Sequence, residues 1–263
     1  MKHSIPLATR LAEARDNDTP PDRLQQLASD SAVTVRRQVA GNRNTPPSVL
    51  CKLARDSEQW VRWRVVRNSN TPLTVLRKMA CDSESLVRFG VAYNSHTPID
   101  MLQQLACDSD EEVRAGVAYN SHTPIDMLQQ LAGDSERVRC AVARNSNTPY
   151  ALLQQLSNDS DEEVRCEALL NQNNPDTPAE WLKQQLADAS EDEEYHYVLW
   201  RIAKHPNTLP ATLRQLMNNL EDRTIARALA NNPNTPFDVL ALLALDMDTD
   251  TQQDALANLQ KRQ

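Results

Sequence analysis

The chain has 263 residues, of which 40% are hydrophobic and 24% are charged, so it can bury the core of a globular domain. Its formal net charge of −8 disfavours nucleic acid as the default ligand, because phosphates are neutralised by a basic surface. With only four glycines and neither GxGxxG nor GxxxxGKS/T, the sequence argues against a turn-rich β fold and against a glycine-lined phosphate loop.

Residues 1–15 precede the first copy of a repeat, and we predict that they form an N-terminal half-repeat. They begin MKHSIPLATR and lack the apolar core of a secretory signal. No apolar run in the chain approaches the roughly 18 residues of a membrane-spanning helix. We therefore expect a cytoplasmic protein that does not act at a membrane.

Residues 16–246 are predicted to form nine repeats of about 26 residues, each marked by a threonine that precedes a proline. These threonines are Thr19, Thr45, Thr71, Thr97, Thr123, Thr148, Thr177, Thr208 and Thr235. Seventeen residues, GVAYNSHTPIDMLQQLA, occur at 90–106 and again at 116–132. Identical units with this period are typical of a solenoid, in which stacked neighbours share a continuous core.

The first helix of each repeat is predicted to begin at Thr-Pro, with the threonine hydroxyl as N-cap and the proline at the first helical position. Apolar residues then recur four, five, eight and nine positions after the threonine. In one repeat these are Met101, Leu102, Leu105 and Ala106. That spacing gives one apolar face of a helix.

The second helix is predicted to begin at Asp-Ser. In DSDEEVR, Ser109 would cap the helix and Glu112 would complete a capping box, and Ser160 and Glu163 repeat this arrangement. The helix is predicted to end in a left-handed asparagine C-cap at Asn42, Asn68, Asn94, Asn120 and Asn145. Each repeat is thus a pair of helices of about ten residues, and the chain shows no strand pattern.

The repeat is irregular at 171–219, where the insertions NQNNPD (171–176) and DASEDEEYHY (188–197) fall. We expect this region to be a flexible joint, and residues 247–263 to form a polar C-terminal cap. The chain is therefore predicted to be a single all-α solenoid domain over residues 1–263.

The repeat reads N-x-N-T-P-x-x-x-L-x-x-L-A-x-D-S-x-x-x-V-R-x-x-V-A, and from residue 16 to about residue 244 it resembles the leucine-rich repeat variant family. The resemblance implies a right-handed superhelical solenoid in which short α- and 3₁₀-helices alternate. The first described member also carries an iron–sulfur cluster on an N-terminal cysteine-rich segment. No cysteine precedes Cys51 here, so we expect neither this cluster nor another cofactor.

The element D-S-x-x-x-V-R also resembles the signature of HEAT repeats, in which an Asp and the Arg six positions later form a ladder of ion pairs. This spacing separates Asp30–Arg36, Asp56–Arg62, Asp82–Arg88, Asp108–Arg114 and Asp159–Arg165, and Asp134–Arg139 is one residue shorter. The resemblance implies that these arginines are structural partners of the aspartates rather than ligand contacts.

Cysteine and histidine show no catalytic or metal-binding spacing. The five cysteines include no CxxC and are interpreted as reduced, partly buried packing residues. His96 and His122 fall in the loop before Thr-Pro, where polar loop residues are expected. No arrangement of Ser, His and Asp departs from the repeat, so we expect no enzymatic activity.

Two columns of the second helix, eight and four residues before each threonine, form a predicted stripe. None of its eighteen residues is acidic and six are basic. The predicted partner-binding residues are Arg37, Trp63, Arg67, Phe89, Tyr93, Tyr119, Arg144, Trp200 and Lys204. The aromatics among them should face outward, on the concave side of a HEAT-like solenoid. The alternative is that these side chains pack against adjacent repeats.

Aromatic and arginine side chains on one surface are typical of protein-binding hot spots. The sequence therefore favours a non-catalytic scaffold for another protein or peptide, whose binding segment would be acidic and apolar. One alternative is a HEAT-like solenoid that binds nucleic acid or acts in base repair, which the basic stripe residues permit and the net acidity disfavours. A second alternative is a carrier of a metal or cluster.

Overall fold

A computed structural model describes residues 5–171, 173–174, 177–188, 195–246 and 248–262. The chain divides into two compact units, an N-terminal unit (Met1–Asn147) and a C-terminal unit (Thr148–Gln263). Every regular element in the described residues is a helix, which confirms the all-α prediction. The predicted insertions fall partly on residues 172, 175–176 and 189–194, outside the described residues. The single-domain assignment and the handedness stay predictions.

The N-terminal unit consists of eleven α-helices in its described part. They are α1 (Leu7–Arg15), α2 (Pro21–Leu27), α3 (Val33–Gly41), α4 (Pro47–Leu53), α5 (Gln59–Val66), α6 (Leu73–Met79), α7 (Ser85–Tyr93), α8 (Ile99–Leu105), α9 (Glu111–Tyr119), α10 (Ile125–Leu131) and α11 (Glu136–Arg144). Each odd-numbered helix packs on the next odd-numbered one. Each even-numbered helix packs on the odd-numbered helices before and after it.

The apolar spacing seen in the sequence produces this packing. On α9, Val113, Val117 and Ala118 are fully buried, and on α8 Leu102 is fully buried. Burial of a leucine or valine side chain stabilises the fold by about 1.5–3 kcal/mol. The predicted two-helix repeat and its core columns are therefore confirmed in this unit.

The C-terminal unit consists of α-helices and one 3₁₀-helix in its described part. They are α12 (Tyr150–Leu156), α13 (Glu162–Leu170), α14 (Ala179–Asp188), α15 (Tyr195–Lys204), α16 (Pro210–Gln215), the 3₁₀-helix Leu216–Asn219, α17 (Arg223–Asn231), α18 (Phe237–Leu243) and α19 (Thr249–Gln260). Helix α19 packs on α17 and α18. The 3₁₀ conformation is thus confined, among the described residues, to one four-residue helix.

The Thr-Pro threonines do not cap the helices that follow them. The N-cap residue is the proline, for example Pro98 before α8, and no side chain makes a capping hydrogen bond there. Instead, Thr97 Oγ1 donates to the carbonyl oxygen of Val91, 2.6 Å away, at the end of the preceding odd-numbered helix. Thr235 donates to Leu229 O in the same way. The predicted cap was wrong because the hydroxyl is buried and directed back to the previous helix.

In the described residues, the serines of Asp-Ser make no capping hydrogen bond either; Ser135 is the N-cap residue of α11, but its side chain accepts none. Helix α9 begins after Asp110, whose carboxylate accepts a hydrogen bond from Glu112 N at 2.9 Å. Asp161 caps α13 by accepting from Val164 N. The predicted capping boxes at Ser109 and Ser160 were therefore one residue early. A carboxylate at this position also complements the helix dipole.

The asparagines at the helix ends have extended backbones, not left-handed ones. Asn120 has φ −70° and ψ 124°, and no described residue outside glycine has a positive φ. The buried Asn120 side chain donates to Ala92 O at 2.7 Å and to Asn94 O at 2.9 Å, both in the preceding repeat. It also accepts from His122 N. Asn42, Asn94, Asn120 and Asn145 are thus the C-cap residues, as predicted, but in an extended rather than a left-handed conformation. The buried amides of this column form a ladder that joins successive repeats.

The Arg–Asp ladder joins neighbouring repeats rather than residues of one repeat. Arg88 Nε and Nη2 donate to the carboxylate of Asp108, 2.6 and 2.9 Å away, in the following repeat. Its Nη1 donates to the backbone oxygen of Asp82, the residue six positions earlier. The same side-chain pairing forms Arg10–Asp30, Arg36–Asp56, Arg62–Asp82 and Arg114–Asp134. The structural role was predicted correctly, but the partner was wrong.

The cysteines are not uniformly buried. Cys51, Cys81 and Cys107 are exposed, whereas Cys140 is buried and Cys166 is half-buried. The packing interpretation therefore holds only for the last two.

Candidate partner-binding surface

The predicted stripe lies on the odd-numbered helices, at positions one helical turn apart. In the N-terminal unit these helices pack directly on one another, so a long side chain at a stripe position reaches the next repeat. Seven predicted residues belong to this unit: Arg37, Trp63, Arg67, Phe89, Tyr93, Tyr119 and Arg144.

At one end of the stripe, arginines stack on tryptophan rings. The Arg37 guanidinium lies 5.6 Å from the ring centre of Trp60, and the Trp60 and Trp63 rings meet edge to face at 6.0 Å. Arg67 lies 4.7 Å from the ring centre of Trp63. Such cation–π contacts contribute about 0.5–1 kcal/mol at exposed sites.

The contacts continue through Tyr93. Its ring centre is 6.0 Å from the Arg67 guanidinium, and the ring stacks on that of Phe89 at 6.0 Å and 22°. It meets Tyr119 edge to face at 6.5 Å, and Arg144 Nη1 lies 3.5 Å from the Tyr119 hydroxyl. The structure therefore brings all seven predicted residues into one continuous row.

We call this row, including the linking Trp60, the aromatic–arginine surface. It consists of Arg37, Trp60, Trp63, Arg67, Phe89, Tyr93, Tyr119 and Arg144. Trp60 was not predicted, because it lies outside the two columns. It could have been identified from its spacing of three residues from Trp63, which places both rings on one face of α5.

Two glycines make room for the aromatic rings of the preceding repeat. A Cβ atom at Gly90 would lie 2.5 Å from Val66 Cγ2 and 3.3 Å from Trp63 Cδ1. At Gly116 it would lie 2.8 Å from Phe89 Cδ2. Neither glycine was predicted, although both occupy the same column of the repeat, seven residues before the threonine.

The surface is partly packed and partly open. Tyr93 is 48% exposed and Trp60 44% exposed, whereas Trp63, Phe89 and Tyr119 are half-buried. Of the five predicted aromatics expected to face outward, Tyr93 is exposed, whereas Trp63, Phe89, Tyr119 and Trp200 are only half-buried. Trp63, Phe89 and Tyr119 are partly covered by packing, in the direction of the packing alternative, although Tyr93 also contacts Tyr119 of the next repeat.

A third cation, Arg64, was not predicted and lies beside Arg37 and Arg67. Burial and the positive charges of these two neighbours lower the pKa of the Arg64 guanidinium. By contrast, the ladder arginine Arg62 on the same helix has a raised pKa, because it donates to Asp82. The surface therefore has an excess of positive charge although the whole chain is acidic.

A cleft opens between the loops that follow α5, α7 and α9. Its volume is about 390 Å³, and Arg67, Tyr93 and Tyr119 form part of its wall. The remaining lining is polar or small: Ser69, Gly90, Asn94, Ser95, His96, Asn120 and Ser121. This cleft combines aromatic rings, hydroxyls and one cation, which together can bind an apolar side chain and fix polar groups beside it.

The other two predicted residues, Trp200 and Lys204, lie together on α15 in the C-terminal unit. Lys204 Nζ is 5.0 Å from the ring centre of Trp200. They line a mostly apolar cleft of about 360 Å³ with Arg227, Ala228 and Asn231 of α17, and with Thr224. Arg227 is paired there with Asp250 and Asp254, so this cleft lacks the positive excess of the first.

Within the described residues, no three side chains of His, Cys, Asp or Glu are arranged to hold a metal ion. No helix in that part of the chain combines the length and the apolar character needed to cross a membrane.

The model of the leucine rich repeat variant family matches residues 111–136, which span α9 and α10. Solved structures similar to the chain include a leucine-rich repeat variant protein, at 23% identity over 88% of each chain with a TM-score of 0.44. They also include the protein YibA of E. coli, at 17% identity over 87% of this chain and 97% of that one, with a TM-score of 0.46. No curated protein matches the sequence. The resemblance to the leucine rich repeat variant family is thus confirmed by the family's own model at the repeat 111–136.

Proposed function

We propose that this chain is a non-catalytic repeat scaffold that binds another protein or peptide through the aromatic–arginine surface of its N-terminal unit. The observation that supports the proposal most is the continuous row of contacts from Arg37 to Arg144, which crosses five neighbouring helices. Rigid aromatic and arginine side chains in such a row are the residues that contribute most energy in protein interfaces.

The proposal is also supported by two features of the row that are unfavourable in the protein alone. Trp60 and Tyr93 expose large aromatic rings, and Arg37, Arg64 and Arg67 lie close together with no carboxylate partner among the described residues. Neither feature is needed to stack the repeats, because the core columns and the two ladders already join them. Trp200 and Lys204 are proposed as a separate contact site in the C-terminal unit.

Capture from a cell lysate treated with nuclease tests the proposal. We expect a protein that is retained by the wild type and reduced tenfold or more by Arg67→Glu/Tyr93→Ala. Both side chains are exposed, so the variant should keep its fold, which circular dichroism can verify. Each of these residues lies in the row and borders the cleft, so the double change alters charge and shape together.

The matched control is Arg77→Glu/Leu73→Ala on α6, where both side chains are also exposed. It makes the same change of charge and also removes one exposed apolar residue, but on the other row of helices. Equal capture by all three proteins would contradict the proposal. Capture that occurs from a parallel untreated lysate but not from the nuclease-treated one would favour a nucleic-acid-binding solenoid instead.

We also propose a cytoplasmic location. The exposed thiols Cys51, Cys81 and Cys107 support it, because free surface cysteines persist in a reducing compartment. Labelling of these thiols in intact cells, without prior reduction, checks this point. Failure to label them would count against it.

A further inference from the structure

The most unusual group on the aromatic–arginine surface is the cluster Arg37, Arg64 and Arg67. In the part of the chain that the structure describes, none of the three guanidinium groups donates a hydrogen bond or forms an ion pair with a carboxylate, and each contacts a tryptophan ring instead. Arg36 and Arg62, on the same two helices, are both bound bidentately by aspartates of the next repeat. The arginines of the cluster are therefore in excess of what the ladder uses.

This cluster is held together against charge repulsion. The charges of Arg37 and Arg67 act on Arg64, which is half-buried between them. Placing like charges together in a partly buried position costs stability unless an anion neutralises them. Guanidinium groups are well suited to that task, since each can bind a carboxylate with two parallel hydrogen bonds.

Arg67 also borders the cleft that contains Tyr93 and Tyr119. The cation cluster and the cleft are therefore adjoining parts of one surface, with Arg67 common to both. A ligand that spans them needs an anionic part next to an apolar or aromatic part. The exposed ring of Trp60, which contacts Arg37 and does not line the cleft, gives a second apolar contact.

We infer that the cluster Arg37–Arg64–Arg67 and the adjoining cleft form a binding site for an acidic peptide segment, with carboxylates at the arginines and a neighbouring apolar side chain between Tyr93 and Tyr119. This inference rests on the proposed function and specifies its ligand. A peptide fits better than nucleic acid, because the cations form one compact group in a chain of net charge −8. Nucleic acid would need a longer basic track to neutralise successive phosphates.

Fluorescence anisotropy with a labelled peptide of alternating acidic (Asp, Glu) and apolar (Leu, Phe) residues tests the inference at constant ionic strength. The protein variants are Arg37→Gln/Arg64→Gln/Arg67→Gln and a control with the same charge change, Arg55→Gln/Arg77→Gln/Lys78→Gln. All three control residues are exposed and belong to the even-numbered helices or their ends. We expect the first variant to weaken binding tenfold or more, and the control to stay within about twofold of wild type.

Two further probes separate the parts of the site. A peptide with Asn and Gln in place of Asp and Glu should lose binding to the same extent as the triple variant. A peptide with Ser in place of Leu and Phe should bind wild type more weakly than the original peptide does. The Tyr93→Ser substitution in the protein should not weaken the binding of this peptide further. Arg67→Gln alone, at an exposed position, provides the same test if the triple variant does not fold.

The inference is overturned if the acidic peptide does not bind, or if both triple variants weaken it equally, since that would be general charge attraction. It is also overturned if an oligo-dT strand binds more tightly and is lost in the same variant. The lysate capture decides the proposed function separately. A protein lost on Arg67→Glu/Tyr93→Ala, together with no acidic-peptide binding, means that the surface is an interface for a ligand of another chemistry.

Discussion

At the scale of single residues, Gly90 and Gly116 show how the aromatic–arginine surface is built. Neither glycine has a positive φ, so neither is required by the backbone conformation. What they provide is space, because a Cβ atom at Gly116 would overlap the Phe89 ring, and one at Gly90 would overlap Val66 and press on the Trp63 ring. An aromatic residue in one repeat and a glycine in the next therefore form a matched pair.

Gly90→Ala should destabilise the protein by about 1–2 kcal/mol. The added methyl group would clash with Val66 and press on Trp63, and such overpacking costs about 1–3 kcal/mol, partly offset by the better helix propensity of alanine. Urea unfolding measures the free energy, and the emission wavelength of tryptophan reports displacement of the ring.

Gly133→Ala is the control for this substitution. Its Cβ would come no closer than 3.7 Å to Gln130 O and its φ is not positive, so we expect it to be neutral or slightly stabilising. Equal stability of the two variants would show that the packing of Trp63 does not depend on Gly90.

At the scale of helices, the sequence predicted the elements better than the bonds between them. The helix pairs follow from apolar spacing such as Leu102 and Val113, which is a local property. The partner of Arg88 could not be deduced in this way, because Asp82 lies six residues before it and Asp108 lies 20 residues after it. Only the stacking distance between repeats decides that the Asp108 carboxylate is the one bound.

The same limit explains the asparagine column and the binding surface. Asn120 was assigned to a left-handed cap from residue type alone, whereas its amide bonds reach backbone oxygens in the preceding repeat. The stripe was predicted from the absence of acidic residues, and the seven predicted binding residues of the N-terminal unit do lie in one row. Their unequal exposure could not be predicted, because it depends on the depth of each ring against the next helix.

His205 of the C-terminal unit takes the place of an asparagine in this column, and it makes the ladder sensitive to pH. It is fully buried, and its Nδ1 accepts from Asn207 N at 3.1 Å. Burial, reinforced by the charge of Arg201, lowers the pKa of His205 to about 4. The next residue of the column, Asn232, donates to the carbonyl oxygen of His205, so the histidine is enclosed within the ladder.

The lowered pKa predicts a loss of stability in mild acid. The unfolded histidine takes up a proton near pH 6.5, whereas the folded one does so only near pH 4. The contribution of neutral His205 to the free energy of unfolding is therefore complete above pH 6.5. It is lost as the pH falls toward 4, at about 1.4 kcal/mol per pH unit. Between pH 7 and pH 5 the free energy of unfolding should fall by roughly 2 kcal/mol more in wild type than in His205→Asn.

Urea unfolding of wild type and His205→Asn at the two pH values tests this expectation. His96→Asn is the control, because it makes the same substitution at an exposed loop position away from the buried column. A pH dependence that is the same in all three proteins would mean that His205 titrates normally in the folded chain.

At the scale of the whole molecule, the interactions found in the N-terminal unit join each repeat only to its neighbours. The Asn120 amide reaches one repeat back, Arg88 reaches one repeat forward, and the odd-numbered helices pack in sequence. Stability should then be a sum of repeat and interface terms, so that one repeat can be removed if the junction restores every contact.

Deletion of residues 89–114 removes one period of 26 residues and joins Arg88 to Ala115. Arg88 would then face Asp134 at the spacing at which it now meets Asp108, and Gly116 would take the place of Gly90 beside Trp63. We expect a folded protein with unchanged helicity per residue and cooperative unfolding, with a smaller denaturant m-value because less surface is buried.

Deletion of residues 90–115 has the same length but joins Phe89 to Gly116, so that Phe89 rather than Ala115 precedes this glycine. In the native chain the Phe89 ring packs over Gly116. After this deletion it would pack against Ala141, which has the same position in the following repeat, is fully buried and has a Cβ atom. This variant should be less stable than the first by about 1–3 kcal/mol, the usual cost of overpacking. Equal stability of the two deletions would show that the pairing of aromatic residue and glycine does not set the register of neighbouring repeats. Unfolding of both would instead contradict the nearest-neighbour description of the unit.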